Sequence, residues 1–240
     1  MNGNALVPSQ PQPEISLEEA SKENSKAFRN DISYEQVQEV YAKLAPKYEQ
    51  ILCPQYYKGP QYTAEALADQ IPADLRSSFK ILDVGAGTGF VGAEMKKHGF
   101  GQIDALEPSE KMITEAIKKN VYEKIYCSRI GGKPLDIKDD MYDGIVTCGS
   151  FGGNLIPCQA LFDIIRIVKP GGIIVISLRE SYLTESTELI GRFEPLMRKL
   201  ESSGAWKLLK REVKPDYAYN KNGVTYTYKV CIHGTVDNNM

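Results

Sequence analysis

The sequence is poor in the residues that build metal sites and disulfide frameworks. It has two histidines, His98 and His233, and its five cysteines are widely spaced, with no Cys-x-x-Cys pair among them. Zinc sites draw mainly on histidine and closely spaced cysteine, and disulfide-rich domains need paired cysteines. We therefore expect no metal site and no disulfide. The scattered cysteines also favour a reducing intracellular compartment, with a cytoplasmic location as the default.

Long apolar runs and an excess of positive charge are missing as well. No stretch approaches the ~18 consecutive apolar residues of a membrane-spanning helix, and the first residues lack the basic start and apolar core of a secretory signal. The chain has 29 basic and 31 acidic residues, which gives a formal net charge of −2. A chain without a basic excess lacks the electrostatic footprint of a protein that binds DNA or RNA. The sequence thus favours a protein that binds neither a membrane nor a nucleic acid.

The 240 residues are enough for one sizeable domain with a buried core, preceded by a tail. Residues 1–30 begin with a segment rich in Asn, Gln, Pro and Ser, whose small apolar surface predicts a flexible tail. Residues 31–240 are predicted to form the domain. Within it, helical periodicity after the N-cap candidate Ser33 predicts a helical segment at 33–72, which we expect to lie as a lid over an α/β core at 78–236.

Strand patterns alternate with helical patterns from residue 79 onward. This alternation predicts an α/β fold of the Rossmann-like kind, with a doubly wound, mostly parallel sheet of seven strands. The last two strands are predicted to form an antiparallel hairpin at the edge of the sheet, joined through Asn222 and Gly223. The predicted strands cover residues 79–84, 102–106, 124–128, 143–148, 173–178, 206–213 and 224–236.

A glycine-rich segment, ILDVGAGTGF at residues 81–90, joins the first strand to the next helix. Glycine allows a backbone to approach a ligand closely, and open α/β sheets bind ligands at the carboxyl ends of their strands. Two frames compete. In one, the strand ends at Val84 and Gly85 starts a Gly-x-Gly-x-Gly turn. In the other, Gly87 starts the dinucleotide fingerprint Gly-x-Gly-x-x-Gly, which would place Gly85 inside a strand, where glycine is unfavourable. Glu107, after the second strand, fits a ribose in either NAD or S-adenosylmethionine.

Four motifs in a fixed order resemble the class I S-adenosylmethionine-dependent methyltransferases. They are DVGAGTGF at 83–90, ALEPSEKM at 105–112, YDGIV at 142–146 and KPGG at 169–172. Segments 41–50, 121–135 and 147–157 and the tyrosine-rich end extend the likeness, which then most resembles the methyltransferase-like subfamily of the Williams–Beuren syndrome region. The resemblance covers roughly residues 33–236. It implies S-adenosylmethionine as cofactor and names no acceptor, for which we expect a small molecule.

The resemblance also implies roles for residues near the strand ends. Glu107 would bind the ribose hydroxyls, and Asp83 would order the glycine turn or help to hold the amino group of the cofactor. The family's usual acid after the third strand is missing from segment 127–131, so Ser128 or backbone groups would contact the adenine. The implied cofactor-binding residues are Tyr48, Asp83, Gly85, Ala86, Gly87, Glu107, Pro108, Met112, Ser128, Cys148 and Gly149. The acceptor pocket is expected to include Tyr41, Tyr56, Tyr57, Ser150, Phe151, Arg179 and Tyr182.

No general base is evident, so no residue is assigned to catalysis. This absence, with the missing acid, keeps a second hypothesis open: a protein that binds S-adenosylmethionine without turnover and acts through a partner. A protein acceptor is a further alternative to a small molecule. An NAD-dependent oxidoreductase would need a proton donor such as a Tyr-x-x-x-Lys pair near the cofactor, and the one such pair, Tyr217 and Lys221, falls in the predicted edge hairpin.

Overall fold

Strands and helices alternate along the chain in the computed structural model, which describes residues 14–231. None of the helices in this part of the chain is long and apolar enough to span a membrane. The helices are α1 (Leu17–Ser25), α2 (Tyr34–Leu44), α3 (Tyr48–Ile51), α4 (Gly59–Ala68), α5 (Phe90–Lys97), α6 (Glu110–Lys118), α7 (Ala160–Arg166), α8 (Tyr182–Glu185) and α9 (Phe193–Ser202), with short 3-10 turns at Lys26–Phe28 and Ala45–Lys47. The strands are β1 (Lys80–Val84), β2 (Gln102–Leu106), β3 (Lys124–Tyr126), β4 (Tyr142–Cys148), β5 (Val168–Arg179), β6 (Trp206–Ala218) and β7 (Lys221–Val230).

The seven strands form one sheet in the order β3-β2-β1-β4-β5-β7-β6. The first five of these run parallel, and β7 lies antiparallel between β5 and β6. The predicted seven-stranded, mostly parallel sheet with an antiparallel C-terminal hairpin is therefore confirmed. The order reverses between β1 and β4, and open α/β sheets bind ligands at such a switch point.

Apolar side chains cover both faces of the sheet, as expected when helices pack on each side. On β5, Ile174, Ile176 and Leu178 face one core, whereas Ile173 and Val175 face the other, which also contains α4 and α5. This strict alternation also settles which face of β5 carries Ser177 and Arg179. Both lie on the α4 side, because side chains two residues apart on a strand share a face.

The turn of the C-terminal hairpin differs from the prediction. Ala218 pairs with Lys221, so the two-residue turn is Tyr219-Asn220, and Asn222-Gly223 lies within β7. Both turn residues have positive φ, +51° and +57°, as a tight hairpin turn of this twist requires. A tyrosine is unusual at such a φ, but Tyr219 is buried, and its hydroxyl donates to the carbonyl of Ile51 at 3.1 Å. Docking of the side chain offsets the backbone strain.

The N-terminal segment 1–30 is predicted as a tail, in which the polar residues 15–30 also allow a loose helix. Residues 1–13 lie outside the described part of the chain, but α1 occupies 17–25. Ser16 and Glu19 form a reciprocal capping box at its start, and Ala20 and Asn24 are buried. The composition is polar because α1 buries only a narrow face, and contacts with the rest of the chain stabilise it. The last predicted strand residues, 232–236, also lie outside the described part.

Candidate functional site

The glycine turn follows β1 directly, in the frame that starts at Gly85. Gly85, Gly87 and Gly89 have φ of +71°, +55° and +89°, values that side chains disfavour. A Cβ on Gly85 would lie 2.3 Å from the Ser150 Oγ, so this position also needs glycine for space. A Cβ on Gly87 would meet only Tyr48, at 4.0 Å. The backbone at Gly87 therefore faces open space beneath the Tyr48 ring.

That open space belongs to a cavity at the carboxyl ends of the parallel strands, whose volume of about 910 Å³ includes space open to solvent. Side chains from α1, α2 and α3 line it on the side away from the sheet. Most of the predicted site residues line this one cavity: Tyr41, Tyr48, Tyr57, Gly85, Gly87, Glu107, Pro108, Met112, Ser128, Cys148, Gly149, Ser150, Arg179 and Tyr182.

Four predicted site residues do not line the cavity. Ala86 is buried in the glycine turn, and Asp83 is buried below it. Tyr56 instead donates to the carbonyl of Ile15 at 2.9 Å and so anchors the start of α1. Phe151 is fully buried and packs on Phe193, with 4.8 Å between the ring centroids. Tyr56 and Phe151 therefore lie outside the lining of this cavity, and their place in an acceptor pocket stays a prediction.

Glu107 presents a carboxylate to the cavity from the end of β2. Its Oε2 accepts from the Gly87 amide and its Oε1 from the Ser109 amide, both at 2.9 Å. Each carboxylate oxygen can accept more than one hydrogen bond, so both retain capacity for a ligand. Burial raises the pKa of Glu107 to about 7, although the two amides act in the opposite direction. Glu107 thus holds the glycine turn and still offers acceptors to the cavity.

Asp83 and Tyr122 form a buried pair under the glycine turn. The Tyr122 hydroxyl donates to the Asp83 Oδ2 at 2.6 Å, and the Asp83 Oδ1 has no hydrogen-bond partner among the described residues. Burial raises the pKa of Asp83 to about 7. An unsatisfied buried carboxylate oxygen is costly when the group is ionised, in line with the raised pKa of Asp83.

A cluster of polar side chains closes the cavity near the end of β4. The Cys148 Sγ lies 3.0 Å from the Tyr57 hydroxyl and 3.3 Å from the Tyr217 hydroxyl, and Tyr217 also contacts the Ser177 Oγ at 3.3 Å. Burial raises the pKa values of Cys148, Tyr57 and Tyr217. All three groups are therefore protonated at neutral pH and can donate hydrogen bonds, but they are poor bases.

Arginines stand at two places on the cavity wall. The Arg129 guanidinium stacks over the Tyr34 ring, 3.7 Å from its centroid, close after β3. Arg179 ends β5, with its guanidinium 5.1 Å from the centroid of the Tyr182 ring. Tyr182 in turn stacks on Phe28 at 4.7 Å. An aromatic wall with one guanidinium thus borders the cavity beside β5.

Sequence reasoning missed several residues that line the cavity. Phe28 and Asn24 lie in the segment predicted as a tail, and Tyr217 is in a strand at the far end of the sequence. Arg129 could have been found, because it follows Ser128 directly after a predicted strand. Tyr217 carried no such signal, since the length of β6 beyond residue 213 was not predicted. The other missed lining residues are Tyr34, Gln38, Leu52, Val84, Leu106, Ile130, Leu155, Ile156 and Ala218.

Comparisons with known proteins agree with this architecture. Residues 81–172 match the family described as a methyltransferase domain. The chain is similar to the human protein called methyltransferase-like protein 27, with 27% identity over 167 residues. That similarity covers 70% of this chain and 66% of the human protein, slightly less than two thirds of its length.

Two solved structures share the fold. One is a SAM-dependent methyltransferase from Aquifex aeolicus, with 17% identity, a TM-score of 0.55, and coverage of 79% of this chain and 98% of that one. The other is the plantazolicin methyltransferase BpumL in complex with SAH, with 16% identity, a TM-score of 0.56, and coverage of 89% and 97%. At these identities the likeness shows the fold alone. The match to the methyltransferase domain covers residues 81–172, the part of the chain that contains the glycine turn.

Proposed function

We propose that this protein transfers a methyl group from S-adenosylmethionine to a small-molecule acceptor held in the cavity described above. The observation that carries the proposal is the arrangement of Glu107 beside the glycine turn. Its two oxygens are fixed by the amides of Gly87 and Ser109 and retain acceptor capacity toward the cavity. Two adjacent ribose hydroxyls are donors that match such a carboxylate.

The residues present fit S-adenosylmethionine at three independent points. Glu107 supplies acceptors for the ribose, and the Gly87 backbone borders a space that a larger side chain would fill. Asp83, buried below the turn and outside the cavity lining, would order the turn rather than contact the cofactor. Met112, Pro108 and Ser128 line the end of the cavity beside Glu107, where the adenine would lie. Ser128 and backbone groups then serve in place of the acid that the sequence lacks after β3.

The bound cofactor would supply an electrophilic methyl group on a positively charged sulfur. The chain's own contribution is position, because alignment of two reactants can account for ~7–11 kcal/mol of a barrier. Tyr48 from α3 and Cys148 and Gly149 after β4 border the part of the cavity next to the turn. Since burial raises the pKa values of Tyr48 and Cys148, neither removes a proton at neutral pH. The acceptor must then bring its own reactive lone pair.

The walls of the cavity support a small acceptor over a macromolecule. Asn24, Gln38 and Tyr41 reach it from α1 and α2, opposite the strand ends. An ion pair between Lys119 and Glu49 and a hydrogen bond from Asn154 to the carbonyl of Ile32 tie this N-terminal part to the core. We infer that the N-terminal helices act as the lid of the site.

Calorimetric titration with S-adenosylmethionine, with its demethylated product S-adenosylhomocysteine and with NAD tests the cofactor assignment. We expect binding of the first two ligands only. Glu107→Ala should weaken that binding by about 1.5–3 kcal/mol, which is roughly 10- to 150-fold, because a charged acceptor is lost. Glu110→Ala is the matched control, since Glu110 is exposed at the start of α6. Absence of binding, or equal effects of the two substitutions, would overturn the assignment.

Turnover needs a separate measurement. The protein is incubated with methyl-labelled S-adenosylmethionine and a small-molecule extract, and label is sought in new products. Label in a small molecule that requires intact Glu107 supports the proposal. Tight cofactor binding with no labelled product would instead favour a binding protein that acts through a partner.

A further inference from the structure

Arg179 is the cavity-lining cation with the fewest partners. Among residues 14–231 its side chain makes no ion pair and no hydrogen bond, and its Nε is buried without an acceptor. Its guanidinium has only the faces of Tyr182 and Tyr219, at 5.1 and 5.9 Å from the ring centroids. The Nε of Arg129, the other cavity-lining arginine, is also buried without an acceptor, but its Nη2 donates to the carbonyl of Leu155.

The acidic side chain that lines the cavity does not pair with Arg179. Glu107 is the one acidic residue among the described residues that line it, and its oxygens are held by the amides of Gly87 and Ser109. A guanidinium whose donors are partly removed from water is costly without an acceptor. Its planar fork of donors matches the two oxygens of a carboxylate or phosphate.

Arg179 is connected to the polar cluster at Cys148 through its strand neighbour Ser177. It shares a strand face with Ser177, two residues earlier, and strand residues rise by about 3.3 Å each. Ser177 contacts the Tyr217 hydroxyl, which contacts the Cys148 Sγ. The backbone positions of Arg179 and Ser177 are therefore about 7 Å apart along β5, so that both ends of a small organic molecule can meet polar groups of this one strand face.

The cavity wall beside Arg179 is aromatic. Phe28 and Tyr182 stack with 24° between their planes, and Tyr182 lines the cavity next to Arg179. An apolar or aromatic body would pack on this wall while a charged end reaches the guanidinium.

We propose that the methyl acceptor is a small organic anion whose anionic oxygens pair with Arg179 and whose apolar body lies against Tyr182 and Phe28. The inference rests on the proposed function, because it names the class of acceptor for the same cavity. A carboxylate and a phosphate monoester share the required charge and oxygens, and the experiment below distinguishes them.

The test measures binding of three probes that differ in one group: phenylacetate, phenyl phosphate and the neutral phenylacetamide. Each is titrated into the full-length protein saturated with S-adenosylhomocysteine, and also into the ligand-free protein. We expect at least one of the anions to bind tenfold or more tightly than the amide. The preferred anion identifies the acceptor group as carboxylate or phosphate.

Substitutions then test whether Arg179 causes the preference for an anion over the amide. Arg179→Met should remove it, Arg179→Lys should restore it in part, and Arg198→Met should leave it unchanged, since Arg198 is exposed on α9 outside the cavity lining. Thermal unfolding and the affinity for S-adenosylhomocysteine are recorded for each variant, and both should match the wild type. The lysine variant keeps the test decisive if the methionine variant does not fold.

Three results would overturn the proposal: an amide that binds as tightly as both anions, a preference that survives in Arg179→Met, or no binding of either anion to the wild type. Failure of S-adenosylhomocysteine to bind is a different result. It would refute the proposed function, and the titrations of the ligand-free protein would still report whether Arg179 holds an anion.

Discussion

The hydroxyl of Tyr122 donates to the carboxylate of Asp83 across 2.6 Å, beneath the turn that follows β1. The Tyr122 ring needs room there: a Cβ on Gly92 would lie 2.7 Å from three of its atoms. Gly92 is the third glycine of the overlapping Gly-x-Gly-x-x-Gly pattern. In this protein, the absence of a side chain at Gly92 lets the Tyr122 ring pack against α5. The third glycine of the pattern therefore has a structural reason that does not involve a bound dinucleotide.

Loss of the Tyr122 hydroxyl should destabilise the fold. In Tyr122→Phe, both Asp83 oxygens lack a side-chain donor, and a buried ionised carboxylate is left behind. We expect the free energy of unfolding to fall by about 1–3 kcal/mol at pH 8, measured by urea denaturation. The pKa of Asp83 should rise further, since the Tyr122 bond lowers it.

Tyr62→Phe is the matched control for that substitution. The Tyr62 hydroxyl donates to the carbonyl of Pro215 at 3.0 Å in an exposed position, where water can replace it. Its removal should cost clearly less. Equal losses in the two variants would mean that the Tyr122 bond does not hold the Asp83 charge.

Alanine at two glycines should separate backbone strain from crowding. Gly85 and Gly99 both have positive φ, +71° and +90°, which costs a side chain roughly 1–2 kcal/mol. Nothing lies within 4 Å of a Cβ on Gly99, whereas a Cβ on Gly85 would clash with Ser150. We expect Gly99→Ala to lower the unfolding free energy by about that amount and Gly85→Ala to lower it by more.

The same pair tests the position of the cofactor. Gly85 lines the cavity and Gly99 does not. Titration with S-adenosylhomocysteine should show a large loss of affinity in Gly85→Ala and wild-type affinity in Gly99→Ala. If both variants bind equally well, the turn at Gly85 does not shape the site.

The parallel core could be predicted because its signals are local. Apolar strand runs, the glycine turn and the caps Ser33 and Ser109 lie where the structure has them. The position of the hairpin turn could not be predicted, because Tyr219, which has positive φ, is held by contacts with Ile51 and Tyr56, far away in sequence. Tyr217 reaches the cavity for a similar reason: the length of β6 depends on pairing with β7, and propensity alone does not encode it. The sequence thus indicated the cavity-lining residues at the strand ends better than those on the N-terminal helices and on β6.

Asp83 should make stability fall as pH rises toward 7. Burial raises its folded-state pKa to about 7 from 3.8, so between about pH 4 and 7 the native protein binds more protons than the unfolded chain. The unfolding free energy then decreases with pH in this window, by at most about 1.4 kcal/mol per pH unit for one group, and levels off above it. Glu107 acts in the same direction.

Asp83→Asn isolates this contribution. Urea denaturation should show that the unfolding free energy of the variant, relative to that of the wild type, is higher at pH 8 than at pH 5 by up to about 3 kcal/mol. Asp69→Asn is the control, since Asp69 is exposed at the end of α4. A stability difference between Asp83→Asn and wild type that is the same at both pH values would contradict the raised pKa.

Ligand affinity should show the opposite dependence on pH. Ribose hydroxyls donate to the ionised form of Glu107, whose pKa burial raises to about 7, so binding must be accompanied by loss of a proton at low pH. The ionised fraction rises from roughly a tenth at pH 6 to nine tenths at pH 8, and affinity for S-adenosylhomocysteine should therefore rise about tenfold. Glu107→Gln keeps the shape of the side chain but cannot titrate. It should bind weakly with a much smaller pH dependence, to which only Asp83 still contributes, whereas Glu110→Gln should follow the wild type. Calorimetric titration at pH 6, 7 and 8 decides the matter, since a wild-type pH profile in Glu107→Gln would mean that Glu107 does not meet the ligand.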